Sequence, residues 1–479
     1  MLAPDTIINI VGALASIAGL YLYVETRKKN AARWITVFFL CAGAFGLAGL
    51  VVSVASTTTT LPLNVRVGVA ALLGAIIAGG LTWLLSGLPE RPKAPLTESD
   101  ARQMVGSLPA TAHLMELGWT VKPEPDVTMF EVWSKPIPSM EESAKYFSQL
   151  NKPFKLHFQQ VTGLGGLHLL ASNPLCNTIS VSAGEFGDIS ELKGFSNLTH
   201  LNISQLPLNS TDIVVETSPL ASLVNLEELG LGMSRVRNID FVRSLPKLTS
   251  LSIGQTLVTD ISPLSGQPKL STLDIRGTRV TDLSPLNSVP TLGELHIGGT
   301  QIPGLVNLKL NNLKSLYIIE QGQIDLSPVG SLTELEGLWI VGPPIIETSF
   351  LRKTKGLTSL SLMGVGFFAN SIVTDPFAIA DLAQLRSLTL SSLQIADLNI
   401  VSNLGKLTEL NLNKLPVVSL APLQSLHSLE KLTLTDISVG DIEPLLGLPH
   451  LAEVRVLRVP VRSDTIKALQ RRGVDVIVN

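Results

Sequence analysis

Apolar residues recur along most of this chain in one arrangement, L-x-x-L-x-L, and the arrangement returns every 22 residues. Between Leu248 and Ile302 the repetition is almost literal. LTSLSIGQTLVTDISPLSGQPK is followed by LSTLDIRGTRVTDLSPLNSVPT and then by LGELHIGGTQI. Within one copy the alternation places Leu270, Leu273 and Ile275 on one side of a short strand, and Thr272, Asp274 and Arg276 on the other. The stretch that follows, VTDISPL at 258–264 and VTDLSPL at 280–286, predicts a short helical or 3₁₀ turn. There the Asp caps the turn, and Pro263 or Pro285 occupies a position that needs no backbone donor.

One apolar column can be followed through the chain. The second Leu of each copy is Leu229, Leu251, Leu273, Leu295, Leu316, Leu338, Leu360, Leu388, Leu410 and Leu432, ending in Val454, with Leu201 and Ile179 upstream and a weaker match at Leu156. From Ile179 to Val454 the steps are 22 residues apart from one of 21 and two of 28. A unit of this size cannot bury its own apolar face and must stack on its neighbours, so the period predicts a solenoid. About 13 copies are expected, each adding one strand to a parallel sheet.

These repeats resemble the leucine-rich repeat family, in its 22-residue class of bacterial internalins and phosphatase-regulating repeat proteins, over residues from about Phe154 onward. The resemblance implies an α/β horseshoe with a parallel sheet on its concave face and a role in binding. One departure is that Thr256, Thr278 and Thr300, or Leu206, Leu393 and Leu415, stand where the family places an Asn. Thr hydroxyls or backbone groups are then expected to satisfy the turn.

Ahead of the repeats lie three apolar runs, Ile7 to Val24, Ile35 to Ala55 and Val67 to Leu88, none with an internal charge. Some 20 residues of helix cross a hydrocarbon layer of roughly 30 Å, so each run is long enough to span. The expected fold class is thus an α/β leucine-rich repeat solenoid preceded by three transmembrane helices. Tyr21, Tyr23, Trp34 and Trp83 sit near the ends of the runs, where amphipathic rings favour the interface. The first connection carries Arg27, Lys28, Lys29 and Arg33, and the second only Arg66. The positive-inside rule then puts the N-terminus outside and the repeats in the cytoplasm, with a bacterial inner membrane as the expected location. MLAPDT has no basic stretch of the kind that opens a cleaved signal peptide. Small residues four apart, such as Gly12 and Ser16, permit close helix packing within one chain or between copies.

The expected organisation is a membrane anchor at 1–88, a Pro-rich linker at 89–100, a small α/β cap or junction at 101–153, the solenoid at 154–461 and a C-terminal cap at 462–479. In the junction, Val127 to Val132 reads as a strand. Ser139 with Glu142 forms a capping box for a helix through about Leu150, and Phe154 to Phe158 is a further strand. Solenoid ends need caps, so this region and the amphipathic Ser463 to Arg472 are read as such.

Composition agrees with a Leu-rich chain: 45% hydrophobic, 16% charged, and a net charge of −3 that offers no basic excess for nucleic acid. The chain's two cysteines, Cys41 and Cys176, are far apart and give no disulfide framework. The seven histidines show no metal-ligand spacing, GLGG at 163–166 lacks the Lys of a phosphate loop, and Cys176 reads as a small apolar residue in a strand. No catalytic residue, metal or cofactor is expected.

A binding surface is expected on the sheet's open face. The x of each L-x-L is mostly small or polar, but three consecutive rows bring His296, Tyr317 and Trp339 about 5 Å apart in an aromatic strip. Asp274 precedes them in the same column, and Arg276, Glu294, Ile319, Val341 and Met363 flank them. Aromatics with Arg and Met anchor protein interfaces, so this strip is the expected contact for a protein partner. The bland alternative is a strip that packs against itself or an insertion. Two repeats carry six extra residues, at 210–220 and at 366–380; Phe367, Phe368 and Phe377 make the second apolar, and it forms either a second contact surface or a plug over the convex side.

The function these features point to is a membrane-anchored repeat protein, not an enzyme, that holds a protein partner on its concave face as a scaffold. Its membrane helices would meet lipid and could pair copies. The opposite topology would make it an extracytoplasmic recognition or adhesion receptor. A third reading places an active site within 101–153.

Overall fold

The structure, a computed structural model, describes residues 109–478 apart from 125–126, 134–136, 185–187, 206–214, 300–304, 306–307, 321 and 365–370. All of these belong to one compact unit, Pro95–Asn479.

Leucine burial builds this unit. The column of repeat leucines is in register strand by strand, Leu251 against Leu273 and Leu273 against Leu295, then Leu295 against Leu316 and Leu316 against Leu338. It continues beyond the repeats to Phe130 at one end and Val476 at the other. From Phe130 to Val454 no member of the column is more than 2% exposed. The result is a 17-stranded sheet in which only the first strand, β1 (Thr120–Pro123), pairs antiparallel, with β2 (Thr128–Trp133). Thereafter every step is parallel, from β2 through β3 (Phe154–Gln159) to the last strand, Asp475–Val478. Neighbouring Leu rungs bury one another's apolar area, which is why each unit requires the next.

The return path of each repeat is made of 3₁₀ turns such as Ser262–Leu264 and Ser284–Ser288, both with Pro in the first two positions. The expected carboxylate cap is present. Asp260 accepts the backbone N–H of Ser262 at 2.7 Å and its hydroxyl at 2.8 Å, and Asp282 does the same for Ser284 at 2.8 Å and 2.8 Å. Asp188, Asp325, Asp397 and Asp441 accept the N–H two residues on in the same way. The missing Asn is replaced as well: the buried hydroxyls of Thr256 and Thr278 each donate to the carbonyl three residues back, Ile253 and Ile275, at 2.7 Å.

A further regularity follows each strand. One residue turns left-handed there: Gln255 (φ 57), Gly277 (φ 66), Gly299 (φ 57), and later Ser392, Lys414, Asp436 and Arg458. Gly298, at φ 138, is more constrained, because a Cβ there would lie 1.7 Å from the Ile319 carbonyl oxygen.

The ends are closed by short helices. α1 (Pro109–Glu116) and α2 (Met140–Phe147) cover the first rungs, with Ser139 accepting the Glu142 N–H as the capping box requires. Trp119 meets Phe147 and Phe158 edge-on, Phe130 meets Phe147 and Phe154 in the same way, and the Trp119 indole donates to Ser143 at 2.9 Å. At the other end α3 (Ser463–Arg471) buries Leu469 against the final rungs.

The fold class is corrected in one respect. Three membrane-spanning helices are not part of this architecture: among the described residues no helix is long and apolar enough to cross a membrane. α1, α2 and α3 have 8, 8 and 9 residues. At about 1.5 Å per residue even nine cover under half of a roughly 30 Å hydrocarbon layer. The runs 7–24, 35–55 and 67–88, with the lipid contact and self-association expected of them, lie outside the described residues.

The insertions are described in part, since 210–214 and 366–370 fall outside. The remainder of the second forms a strand, Ile372–Thr374, parallel to Ile345–Glu347 in a separate two-stranded sheet. Ile345, Ile372 and the following Phe377 are exposed.

Candidate functional site

Strand alternation that buries the Leu column turns the intervening side chains to the open face of the sheet. His296, Tyr317 and Trp339 are register partners on Glu294–Ile297, Ser315–Ile319 and Gly337–Val341. Their rings form a stack. His296 and Tyr317 lie 4.1 Å apart at 14°, and Tyr317 and Trp339 lie 4.2 Å apart at 5°. These spacings are shorter than the roughly 4.8 Å between strands, so the rings are in van der Waals contact along the row.

The stack both packs on itself and presents an edge. His296 is 1% exposed, covered by the Tyr317 ring, and its Nε2 lies 2.8 Å from Glu294 Oε1. Tyr317 and Trp339 are half-buried. Trp339 leans toward the start of its strand, over Gly337, where a Cβ would sit 2.4 Å from the indole. Only glycine admits the ring in that position. Burial, with the Glu294 carboxylate beside it, pushes the Tyr317 hydroxyl up to about 12.

The remaining residues of the expected site are arranged on either side. Asp274, 7% exposed, precedes His296 in register and holds Arg276 in a two-point contact at 2.9 Å and 2.8 Å. The same carboxylate accepts the Ser252 hydroxyl at 3.4 Å. On the far side Ile319, Val341 and Met363 are in register with one another on three adjacent strands, Ile319 being 37% exposed. The structure therefore brings all seven expected residues onto one face. Asp274, Arg276, Glu294 and His296 form the polar flank. Tyr317 and Trp339, with Met363 beyond them, form the apolar one.

Two further clusters lie on this face. At the N-terminal cap, Glu131 is buried on β2 with Lys122 of β1 at 2.5 Å and His157 of β3 at 3.8 Å. The Lys122 ammonium also lies 5.6 Å from the ring of Trp133, which is 58% exposed. Burial holds His157 below the usual histidine range, partly offset by Glu131 and reinforced by Lys122. The alternation of Met129, Glu131 and Trp133 with Phe130 and Val132 is the sequence signal for this cluster. Near the C-terminal end Thr389, Asn411 and Thr433 floor a shallow hollow of about 220 Å³, with Glu409, Lys431 and Arg455 at its sides.

Cys176 is fully buried in its strand, and burial pushes its thiol far up, so it is held in the protonated, unreactive form. Among the described residues no group of three or more His, Cys, Asp or Glu is placed to hold a metal ion.

Residues 246–288 match the family model described as Leucine Rich repeats (2 copies). Among solved structures the chain is similar to an internalin from Listeria monocytogenes, at 22% identity over 70% of this chain and 88% of that one, with a TM-score of 0.48. It is similar also to a leucine-rich repeat protein of Leptospira interrogans, at 16% identity over 72% and 93%, with a TM-score of 0.49. A third is the repeat ectodomain of the plant receptor kinase GASSHO1/SCHENGEN3 from Arabidopsis thaliana, at 16% identity over 70% and 48%, with a TM-score of 0.41. No curated protein matches the chain.

Proposed function

We propose that this protein is a binding scaffold that captures a partner protein on its concave sheet, centred on the ring stack. The observation that carries this reading is the juxtaposition of half-buried Tyr317 and Trp339 with Ile319, Val341 and Met363 on the sheet's open face. Large rings held rigid by neighbours lose little freedom on binding, and water leaving an apolar shelf of this kind drives association. The Asp274–Arg276 ion pair and the Glu294–His296 contact beside it supply the polar rim that gives an interface its orientation.

The test is site-specific photo-crosslinking in cells that make the protein. A crosslinking amino acid replaces Ile319 on the shelf or, as a control, Val418, which is 76% exposed on a turn. A discrete adduct from position 319, absent from 418 and lost on Tyr317→Ala with Trp339→Ala, is the expected result. A loss of binding by about 2 kcal/mol or more is typical when a central aromatic anchor is removed. The same adducts from both positions, or none from 319, would remove the concave face as the capture surface.

A further inference from the structure

Beyond the ring stack, toward the C-terminal end of the sheet, the open face carries short polar side chains. Strands Ser387–Ser391, Glu409–Asn413 and Lys431–Thr435 pair in register, which sets Thr389, Asn411 and Thr433 side by side at the strand spacing of about 4.8 Å. These three floor the hollow of about 220 Å³, and all are half-buried. Among the described residues none of their side chains hydrogen-bonds to another protein group. Elsewhere on this face the polar groups are committed. Asp274 holds Arg276 and Ser252, His296 lies against Glu294, and Asn413 donates its amide to Ser391 at 3.0 Å. The hollow is where uncommitted donors and acceptors stand in a row.

The sides of the hollow decide what charge it accepts. Lys431 reaches Glu409 at 3.4 Å, and Arg455 is paired with Glu453 on its own strand. Two carboxylates and two cations cancel around the hollow, so an ion entering it meets no surplus of the opposite sign. An apolar group fits no better, because it strips water from two hydroxyls and an amide without replacing their hydrogen bonds. What fits is an uncharged ligand that donates and accepts at closely spaced points. A hydroxyl does both, and a sugar ring carries several on adjacent carbons. The planar Asn411 amide, acceptor on one side and donor on the other, matches two neighbouring hydroxyls, with a threonine hydroxyl on either flank.

We propose that the hollow is a subsite for one uncharged sugar residue of a glycan, held by the Asn411 amide across two adjacent hydroxyls and by Thr389 and Thr433 at its flanks. It is a second site, independent of protein capture at the ring stack. Asn411 lies three strands from Trp339, roughly 14 Å away.

The experiment applies the full chain to an array of oligosaccharides, neutral ones beside uronate-bearing and amine-bearing ones. The neutral glycan best retained is then titrated by calorimetry. Saturable binding of a neutral glycan in preference to its charged counterparts is expected, changing by less than about twofold between roughly 0.05 and 0.5 M salt because no ion pair forms. Asn411→Leu with Thr433→Val is expected to weaken binding by about tenfold or more. Neither change removes a hydrogen bond within the protein, so the melting temperature should stay at the wild-type value, which separates a lost contact from a lost fold. Tyr317→Ala with Trp339→Ala should leave the titration unchanged while the adduct at position 319 disappears. No neutral glycan retained, preference for a charged one, or a titration untouched by the changes at 411 and 433 overturns the subsite. Displacement of the glycan by an equal concentration of an acetylated Ser-Asn-Ser amide also overturns it, and gives the hollow to a polypeptide.

Discussion

Leu273→Asp tests the register on which every surface assignment depends. Leu273 is fully buried between Leu251 and Leu295, which are fully buried themselves. Removing the Leu side chain forfeits about 3–5 kcal/mol of transfer and packing energy. The introduced carboxyl adds a second loss, because burial favours its neutral form and raises its folded-state pKa above the unfolded value of about 3.9. If it is held fully neutral at pH 7, roughly three units at 1.36 kcal/mol each add about 4 kcal/mol. The sign is definite: for an acid with a raised folded pKa, this second loss is absent below about pH 4 and grows as pH rises. A total near 7–9 kcal/mol at pH 7 is comparable with the whole stability of an ordinary domain, so neighbouring rungs should open with it. Urea unfolding followed by circular dichroism at pH 4 and 7, each against wild type, measures the difference. Leu273→Asn serves as the non-titrating control, and amide exchange locates the opening at the strands on either side. Wild-type stability at pH 7, or a loss as large at pH 4 as at pH 7, would refute the burial of this position.

Three other outcomes are expected. Gly298→Ala should destabilise far more than Gly277→Ala, since the first drives a Cβ to 1.7 Å from a backbone oxygen and the second meets the Gln255 side chain at 3.0 Å; Gly277→Ala should cost about 1–2 kcal/mol, and equal losses in thermal melts would contradict this geometry. Hydrogen bonds from the backbone and hydroxyl of the serine two residues on hold the carboxyls of Asp260 and Asp282 below the usual carboxylate range. Their stabilisation is therefore present above the unfolded pKa and lost as pH falls through the folded one, so the melting temperature should drop on acidification below about pH 4, and less steeply in Asp260→Asn; identical acid profiles would argue against the caps. Tyr317, raised to about 12, should be absent from the phenolate absorbance that develops near pH 10 and appear later, with Glu294→Gln bringing it earlier; loss of a pH 10 phenolate in Tyr317→Phe relative to wild type would show that the ring is not enclosed.

Much of the repeat unit is legible in the sequence because one column of leucines and one Asp–x–x–Pro turn recur at a fixed interval, and each has a local cause. Alternation sets which side of a strand is buried, and a carboxylate two residues before a free N–H caps it wherever it occurs. The alignment of His296, Tyr317 and Trp339 is legible for the same reason, since residues one period apart become neighbours once the strands pair. Less visible are the left-handed turn at Gln255, Lys414 and Arg458, where no glycine marks it, and the entry of β2 into the sheet ahead of the first clear repeat. In both, tertiary pairing overrides a weak local preference.

The sequence by itself determined the period, the strand faces and the row order of the concave surface, since these follow from short-range alternation and a repeat length. Only the tertiary structure decided how close the rings lie, that His296 is covered while Tyr317 and Trp339 stay half-buried, that Gly337 makes room for the indole, and that Glu334 and Glu336 share one lysine. Apart from Gly337 and Trp339, which lie two residues apart on one strand, those features arise between side chains about 20 residues apart in sequence, which become neighbours only once the strands pair.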